Sequence, residues 1–551
     1  MKINTTIENG VTRRKALFGG LGLSALAVLG AGTLAGCGQR NNTVTSASSA
    51  NLPNYTEPEG LQADLPGNDQ GVPAGYLTYP KEPKQTVPEP FLNGATVTAM
   101  AASASAPPNQ MDRNPVWQEI NKRMGGTLEL QSVPSSDYDQ KLTTNIASGK
   151  LPDIFSYGGG DGATDFLKSE CANLEEYLAG DKVKDYPNLA AIPEVFWRTG
   201  VFDGTLYLLP IPRPITGGAG FYNGTLFEKV GVPDISKVAN ADDFRSALKE
   251  LSTGNNQWAI GGPNFVLSPF RLIFKLPNQW RYENGELTRE YETEEYKRMV
   301  EYVIKLREDG SYVPGSEAWT KPQMISAFAT GQVAMIYDGL PGWKGHAESF
   351  RVSGRNETLK CIIPFAYDGS DPIAHADNIV YSNVALKKND PEKIKAALGV
   401  ANFMAAPFGS AEYLLYTFGV EGQDYTMDEN NNPVPSKGSD ANTGVPWRYL
   451  AAPAPFLYSA AYPEDTKTLY EAYSTLIPMA IEDPTGNIES PTDVRQGGNL
   501  GESFRATVTD IIAGRKPFSE FDNAVKAWRN GGGDKIREEY LSALNAATPT
   551  S

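Results

Sequence analysis

Histidine and cysteine are scarce in this sequence, which contains only two histidines and three cysteines among 551 residues. The two histidines, His346 and His375, provide no spaced metal-binding motif and no recognisable catalytic triad. A Gly-x-Ser-x-Gly elbow, a Walker phosphate loop and a Rossmann glycine fingerprint are also missing. These absences predict that the protein is not an enzyme. A glycosidase needs only two carboxylates, and among 65 acidic residues that alternative stays open.

Acidic residues outnumber basic ones, and the formal net charge is −16 at pH 7. Residues 1–36 contain four basic residues and one acidic residue, so the remainder has 45 basic and 64 acidic residues, a net charge of −19. Nucleic-acid-binding surfaces are basic because they neutralise phosphates. The charge balance therefore predicts no nucleic-acid partner, and it does not indicate which ligand is bound.

The N-terminal segment has the order of features found in an export signal. Residues 12–15 read TRRK, residues 16–35 form an apolar, glycine-rich run, and residues 34–37 read LAGC. Small residues directly before a cysteine form a lipobox, in which the cysteine receives a lipid. The apolar run is long enough to span a membrane, but its glycines and the lipobox favour a signal peptide.

We therefore predict that residues 1–36 are a lipoprotein signal peptide and that Cys37 becomes the lipidated first residue. One acyl chain anchors a protein only marginally, whereas a diacylglycerol group supplies two. This predicts an exported protein, anchored at the outer face of the bacterial cytoplasmic membrane. The arginine pair resembles a twin-arginine signal, although the general secretion route also suits the segment. Cys171 and Cys361 remain, and their pairing stays open.

Residues 37–90 are rich in asparagine, serine, threonine, glycine and proline, with few hydrophobic residues. Such a composition buries too little apolar surface to offset the entropy lost on ordering. We predict that this segment is a disordered tether between the lipid and a globular part that begins near residue 91. The globular part has about 460 residues, too many for one hydrophobic core, so two or three lobes are expected.

Strand and helix patterns alternate at the start of the globular part. Apolar runs at 95–101, 128–133 and 152–157 predict strands, and the segments between them have helical spacing. This β-α-β-α-β order predicts an α/β fold with a parallel sheet. Such sheets bind ligands beyond the carboxyl ends of their strands, so the loops at 105–113 and 157–161 are expected to face a ligand.

Several short motifs occur in one order along the globular part. They read NPVWQEI from Asn114, ASGKLPDI from Ala147, DGTLYLLP from Asp203, FATGQVAM from Phe328, FGVEGQDY from Phe418 and IIAGRKP from Ile511, the last leading into FDNAVKAW. Each motif is weak alone, but their order behind a lipobox is specific. Over about residues 95–546 the chain resembles family 1 extracellular solute-binding proteins, particularly the long lipoprotein branch linked to oligosaccharide uptake.

The resemblance implies an α/β, two-lobed periplasmic-binding-protein-like fold of type II, with a ligand cleft between lobes joined by hinge strands. The implied lobes are lobe 1, comprising 91–215 and about 375–440, and lobe 2, comprising 216–374 and about 441–551. The first two crossings between the lobes are expected near 212–220 and 374–382, and the poorly marked third near 440–450.

The same resemblance implies the substrate-binding protein of an ABC importer. Such a protein captures a carbohydrate, here an oligosaccharide, by hinge closure and delivers it to two permease transmembrane subunits and their ATPase. No cofactor is expected, and the protein is expected to be a monomer. A peptide or another small solute in the same role stays open, as does a cell-surface glycan-binding scaffold outside transport.

Sugar-binding sites need aromatic platforms and fixed hydrogen-bonding groups, and the relatives indicate where some of these lie. In maltose-type relatives the loop after the Pro-Asp-Ile strand carries an aromatic residue and an aspartate that touch sugar. The matching positions here are Tyr157 and Asp161. Relatives also place a tryptophan just after an Asn-Gly-Pro turn, which matches Trp343, with Asp338 at the start of the segment. That segment reads DGLPGW and has one glycine more than the relatives' turn.

The other candidate ligand contacts match no family motif. Arg213, in the first crossing, is predicted either to pair with an acidic sugar or to be a solvated hinge charge. Trp258, Trp280 and Trp447 are aromatic candidates, and Arg448 beside Trp447 is a polar one.

Metal binding is not expected. Many long relatives have a calcium-type loop after the helix that corresponds to 241–251, but residues 252–257 read STGNNQ and have no carboxylate. Residues 428–432 read DENNN, like the start of an EF-hand. Pro433 and Ser439 stand where that motif needs glycine and glutamate, so this segment predicts a turn.

Overall fold

The computed structural model describes residues 50–58, 61–103, 107–160, 162–262, 269–486, 488 and 490–547. Cys37 and Asp161, both predicted to be functional, lie outside the described residues. The strands in chain order are β1 Ala74–Tyr76, β2 Thr96–Ser103, β3 Thr127–Pro134, β4 Ile154–Tyr157, β5 Val201–Phe202, β6 Thr205–Leu206, β7 Leu208–Pro212, β8 Phe221–Asn223, β9 Trp280–Glu283, β10 Glu286–Arg289, β11 Met335–Ile336, β12 Leu359–Cys361, β13 Ala374–His375, β14 Val380–Leu386, β15 Tyr425–Met427, β16 Pro433–Pro435, β17 Phe456–Tyr458 and β18 Ala480–Ile481.

The helices connect and cover these strands. They are α1 Pro115–Met124, α2 Tyr138–Ala147, α3 Ala163–Glu170, α4 Glu175–Leu178, α5 Pro187–Ala190, α6 Glu194–Trp197, α7 Gly224–Lys229, α8 Ala241–Leu251, α9 Glu294–Glu308, α10 Lys321–Ala329, α11 Trp343–Val352, α12 Pro391–Met404, α13 Ala411–Phe418, α14 Asp440–Thr443, α15 Pro463–Leu476, α16 Gly498–Ile512, α17 Glu520–Trp528 and α18 Asp534–Ala547. Within the described ranges, none is both long and apolar enough to cross a bilayer.

The larger sheet, in the first lobe, has the strand order β3-β2-β4-β14-β7. Strand β2 pairs in parallel with β3 and β4, whereas β14 is antiparallel to β4 and β7. The predicted parallel β-α-β-α-β unit is therefore confirmed. Two strands that are distant from it in sequence complete the sheet.

The first helix shows how local sequence sets the bounds of an element. Asn114 accepts a hydrogen bond from the backbone N–H of Trp117 at 3.1 Å, and Pro115 fills the first helical position. Gly125 ends the helix at φ 68°, in the left-handed region that favours glycine. The apolar face between these signals is buried in the first-lobe core.

One edge of the larger sheet faces the crossings between the lobes. Tyr157, the last residue of β4, pairs with Asn383 of β14. Pro212, the last residue of β7, pairs with Val380, where β14 begins. The carboxyl ends of β4 and β7 and the start of β14 therefore meet at this edge, where the chain leaves and re-enters the first lobe.

The second lobe surrounds a smaller antiparallel sheet with strand order β11-β8-β12. Helices α8, α9, α16, α17 and α18 contribute buried side chains to its main core, and α10, α11 and α15 to an adjacent cluster. Asn240 and Thr293 accept backbone hydrogen bonds that cap α8 and α9. The separate hydrophobic cores agree with the division into lobes expected from chain length.

The third crossing lies later in the chain than predicted. The last second-lobe segment was expected to begin near residue 441, but Val445, Trp447 and Leu450 belong to the first-lobe core. The next buried residue that packs with the second lobe is Leu457. The expected boundary is wrong because residues 440–450 form only the four-residue helix α14 and one 3-10 turn, which are too short to show a hydrophobic period from which a lobe can be assigned.

The segment predicted to be a disordered tether packs along both lobes over its described part. We call the described residues of 50–90 the N-terminal arm. Val72 of the arm is buried in the second-lobe cluster, and Val87 is buried in the first-lobe core. Strand β1 pairs in parallel with β17, and Tyr79 is only 1% exposed. The tether prediction is wrong here because the average composition of the segment does not reveal the few aromatic and aliphatic residues that pack against the two lobes.

Candidate functional site

Tyr157 lies at the sheet edge that faces the crossings, at the start of a glycine loop. Its ring is 9% exposed and stacks on Phe166, with ring centroids 4.9 Å apart, and burial raises the pKa of its hydroxyl. Residues 158–160 are all glycine, and a Cβ added to any of them would meet no atom of the described residues within 4 Å. The loop therefore borders open space, which a ligand can approach closely.

Hydrogen bonds join the first crossing to the second. Arg213 donates its backbone N–H to the carbonyl of Ile379 at 2.8 Å and its Nε–H to the carbonyl of Asn378 at 2.7 Å. Asp377 accepts a hydrogen bond from the backbone N–H of Gly217 at 2.7 Å. These bonds hold the base of the Arg213 guanidinium between the lobes, where its charge faces the crossings.

An aromatic pair beside the crossings, in which one ring is exposed and the other half-buried, was missed by sequence reasoning. Tyr381 is 56% exposed and stacks on Tyr449, with ring centroids 5.1 Å apart. Arg448 donates an Nη2 hydrogen bond to the Tyr449 hydroxyl at 2.8 Å, with its guanidinium carbon 4.9 Å from that ring centroid. Burial raises the pKa of the Tyr381 hydroxyl, and the neighbouring Tyr449 raises it further. The positive charges of Arg448 and Arg213 act in the opposite direction. The structure thus brings Arg213 and Arg448 close to one exposed aromatic platform.

Asp338 organises the turn that precedes Trp343 in the second lobe. It accepts a hydrogen bond from Lys321 Nζ at 2.7 Å and contacts His346 Nε2 at 3.0 Å. Burial raises the pKa of Asp338, but the bonds to His346 and Lys321 outweigh burial and lower it overall. Trp343 is 5% exposed and packs edge-on against Phe221, and its buried indole N–H has no partner among the described residues.

The other three predicted tryptophans belong to the hydrophobic packing of the lobes. Trp280 is 2% exposed and packs on Trp528 in the second-lobe core. Trp447 is 1% exposed and packs edge-on against Trp117 in the first-lobe core. Trp258 is partly buried against the second-lobe cluster. Neither Trp280 nor Trp447 presents a free face in this conformation, so Tyr381 and Tyr449 are better placed as a platform.

A cavity of about 340 Å³ adjoins the crossings on the second-lobe side. Its walls are Gly218, Arg271, Leu272, Asn278, Gln279, Arg289, Glu290, Tyr291, Tyr296, Tyr337, His375, Asp377 and Arg505. A larger cavity of about 450 Å³ lies in the second lobe between residues 307–317 and 512–513, but no crossing residue lines it. The smaller cavity is therefore the one that can communicate with a ligand held between the lobes.

His375, in the wall of that cavity, should make stability depend on pH. Its Nε2 donates to the carbonyl of Leu276 at 2.9 Å, and burial together with Arg271 lowers its pKa to about 4. An unfolded histidine titrates near pH 6.5, so the unfolded state takes up a proton first as the pH falls. The free energy of unfolding should therefore fall by about 2–3 kcal/mol as the pH drops from about 6.5 to 4, because folding then requires His375 to stay neutral.

We expect His375→Gln, which keeps a hydrogen-bond donor but cannot titrate, to reduce this pH dependence. The check is urea unfolding of both proteins between pH 7.5 and 4.5, compared at each pH. Parallel stability curves for the two proteins would show that His375 does not titrate in this window.

The two described cysteines and the side chains able to bind a metal were also located. Cys171 is buried in the first lobe and Cys361 partly buried in the second, both thiols are free, and burial raises the pKa of each to about 12. No group of three histidine, cysteine or carboxylate side chains is placed to hold a metal ion in the part of the chain that the structure describes. Residues 428–432 form the predicted turn, which joins β15 to β16. In this turn, Asp428 accepts a hydrogen bond from the backbone N–H of Asn430.

Comparison with known proteins gives matches in sequence and in structure. A family model described as bacterial extracellular solute-binding protein matches residues 116–420. The polygalacturonan/rhamnogalacturonan-binding protein YtcQ of Bacillus subtilis is 22% identical over 459 residues, which cover 78% of this chain and 88% of that protein.

Two solved structures show the same fold. An HMO-binding, ABC-transporter-associated solute-binding protein from Bifidobacterium longum infantis matches with a TM-score of 0.61 at 17% identity, covering 83% of this chain and 99% of that one. The alginate-binding protein AlgQ2 matches with a TM-score of 0.59 at 14% identity, covering 84% and 100%. The predicted two-lobed α/β fold is thereby confirmed.

Proposed function

Because this chain belongs to the family of bacterial extracellular solute-binding proteins, we propose that it captures an oligosaccharide between its lobes and delivers it unchanged to an ABC importer. The observation that carries the proposal is the exposed Tyr381–Tyr449 platform, flanked by arginines, at the junction of the lobes. Ligands of two-lobed binding proteins are enclosed by hinge closure around such a junction.

The chemistry of the junction suits a sugar. A sugar ring presents an apolar C–H face and a hydroxyl edge, so its site combines aromatic surfaces with fixed donors and acceptors. Tyr381 and Tyr449 supply the surface, and Arg213 and Arg448 supply donors. The glycine loop after Tyr157 leaves room for the ligand on the first-lobe side.

The proposed contact set revises the one predicted from the sequence. It keeps Tyr157, Arg213, Arg448 and the predicted Asp161, and it adds Tyr381 and Tyr449. From the second lobe, Asp338 is proposed to set the turn and Trp343 to present an edge when the lobes close. Trp258, Trp280 and Trp447 are proposed to support the cores of the lobes without touching sugar.

Names of similar proteins support a carbohydrate cargo. YtcQ is named for binding polygalacturonan and rhamnogalacturonan, AlgQ2 for binding alginate, and the Bifidobacterium protein for binding HMO. We propose by analogy that this chain works with two permease transmembrane subunits and their ATPase. We also propose that it acts as a monomer, requires no cofactor, does not bind nucleic acid, and catalyses no reaction on its ligand.

Anchoring at the outer face of the cytoplasmic membrane is proposed from the lipobox at residues 34–37. A diacylglycerol group on Cys37 would keep the binding protein near its permease, since two acyl chains give stable attachment. Replacing Cys37 with serine should release the protein from the membrane fraction into the medium. Retention in membranes of a Cys37→Ser protein from which residues 1–36 have been removed would contradict lipid anchoring.

A thermal-shift screen tests the binding proposal. The purified protein would be heated with mono- and oligosaccharides, using amino acids and peptides as controls. A ligand present at about 100 times its dissociation constant stabilises the folded state by about 2.7 kcal/mol, which is visible as a higher Tm. We expect a shift with one glycan series and no product on chromatography. A shift with peptides alone would contradict the sugar cargo, and turnover of a glycan would contradict the binding role.

A further inference from the structure

The cavity beside the crossings contains three arginines, Arg271, Arg289 and Arg505. Among the described residues, only Arg271 of these three has a carboxylate partner within hydrogen-bond distance. Its Nε and Nη2 donate to one carboxylate oxygen of Glu290, Oε2, at 2.9 and 2.7 Å. Glu290 is 6% exposed, so this ion pair is largely withdrawn from water. The other two guanidinium groups, on Arg289 and Arg505, form no ion pair within the part of the chain that the structure describes.

Arg289 is held in place by aromatic rings and an amide. Its guanidinium carbon lies 5.2 Å from the Trp280 ring centroid and 5.0 Å from that of Tyr291. Its Nη2 donates to Gln279 Oε1 at 3.2 Å, but its buried Nε has no hydrogen-bond partner among the described residues. A buried charged donor without a partner costs folding free energy, which a ligand that supplies a hydrogen-bond acceptor would recover.

Arg505 completes the basic wall from helix α16. Its Nη1 lies 3.5 Å from the hydroxyl of Tyr291, and the guanidinium of Arg289 stacks on the ring of the same tyrosine. Arg505 is exposed, and it forms no ion pair with any residue that the structure describes. The guanidinium groups of Arg289 and Arg505 therefore both contact Tyr291 in the cavity wall.

The neighbouring carboxylates make their hydrogen bonds to neutral groups and not to these two arginines. Asp377, which also lines the cavity, accepts the backbone N–H of Gly217, and Asp493 accepts the Tyr540 hydroxyl at 2.7 Å. Asp483 accepts backbone and hydroxyl bonds from Thr485. Asp483 and Asp493 act on Arg289 only at longer range, without an ion pair.

We propose that this cavity binds a carboxylate of the captured oligosaccharide, so that the cargo is an acidic glycan. This inference rests on the proposed function, because it names the class of sugar that the same cleft selects. Arginine presents a planar fork that matches a carboxylate, and ionised hydrogen bonds are stronger than neutral ones. The acidic group enters between Arg289 and Arg505, and the adjoining sugar ring extends towards the Tyr381–Tyr449 platform.

The test compares each acidic glycan with its own methyl ester, which removes the charge and keeps the sugar. Oligogalacturonate, oligomannuronate and sialyllactose would be titrated calorimetrically in both forms, beside neutral galacto-oligosaccharides of equal length. We expect one acid series to bind about tenfold or more tightly than its ester, since a charged hydrogen bond exceeds a neutral one by that order. Binding to that series should weaken as salt is raised.

Arginine variants test whether the preference for the acid over its ester arises in this cavity. Arg505→Gln and Arg289→Gln should each reduce the acid-over-ester preference about tenfold or more, because the acid loses a charge-assisted hydrogen bond and the ester only a weaker one. Arg298→Gln is the matched control, because Arg298 is an exposed second-lobe arginine that contacts Tyr367 instead. The exposed position of Arg505 makes its variant informative even where Arg289→Gln folds poorly.

The outcomes separate this inference from the proposed function. Tight binding of neutral glycans, or equal binding of acids and esters, would keep the binding function and overturn the acidic-site proposal. Discrimination that survives both Arg289→Gln and Arg505→Gln would also overturn it, by placing the charge recognition elsewhere. Failure of every glycan to bind would overturn both proposals.

Discussion

Replacing Tyr79 with alanine is expected to lower the free energy of unfolding by about 3–5 kcal/mol, as for other large buried aromatic side chains. Tyr79 is in the N-terminal arm, 1% exposed, and its hydroxyl donates to the carbonyl of Ser410 at 2.8 Å. Its ring packs edge-on against Phe408, with centroids 5.0 Å apart. Its backbone N–H donates to Asn432 Oδ1 at 3.1 Å. Truncation would remove this packing from the first-lobe surface.

Two matched variants in the arm separate packing from other effects. Tyr79→Phe should cost about 1 kcal/mol, the net value of one hydrogen bond. Tyr55→Ala should be nearly neutral, because Tyr55 is 51% exposed. Urea unfolding of the three variants gives the comparison. A loss near zero for Tyr79→Ala would mean that the arm is undocked in solution, as the sequence composition first suggested.

Replacing Glu290 with alanine is the second change with a large expected effect. Arg271 would keep its charge in a largely buried position without a counterion, which typically costs about 3–5 kcal/mol. The loss should appear in urea unfolding at neutral pH. An acidic glycan should partly restore stability if it supplies the missing negative charge, whereas a neutral glycan should not.

Glu295→Ala provides the control for Glu290→Ala. Glu295 pairs with Arg281 at 3.1 Å, with side-chain exposures of 26% and 34%, so its loss should cost at most about 1 kcal/mol. Equal effects of the two substitutions would show that solvent screens the Arg271–Glu290 pair despite its burial.

The sequence predicts the parts of this fold that are encoded locally. The runs at 95–101, 128–133 and 152–157 become β2, β3 and β4, and the Asn114-Pro115 start and Gly125 stop of α1 act through backbone chemistry. Strand β14 joins the sheet by pairing with residues about 170 to 230 positions away, which no local pattern indicates.

The candidate site was only partly predictable for the same reason. Tyr157 and Arg213 follow strands of the sheet and can be located from their order in the chain. Tyr381 and Tyr449 form a platform only because the second crossing meets a turn 68 residues later. Trp447 was selected for its aromatic ring, but its place in the first-lobe core depends on packing against Trp117, which composition does not reveal.

Small-angle X-ray scattering with and without ligand tests most directly whether this protein captures its cargo between the lobes. The protein would be measured alone and with the oligosaccharide that gives the largest thermal shift, and the ligand would then be recovered for chromatography. We predict a smaller radius of gyration with ligand, from hinge closure, and an unchanged oligosaccharide. Saturated binding without compaction, or recovery of a cleaved oligosaccharide, would contradict the account.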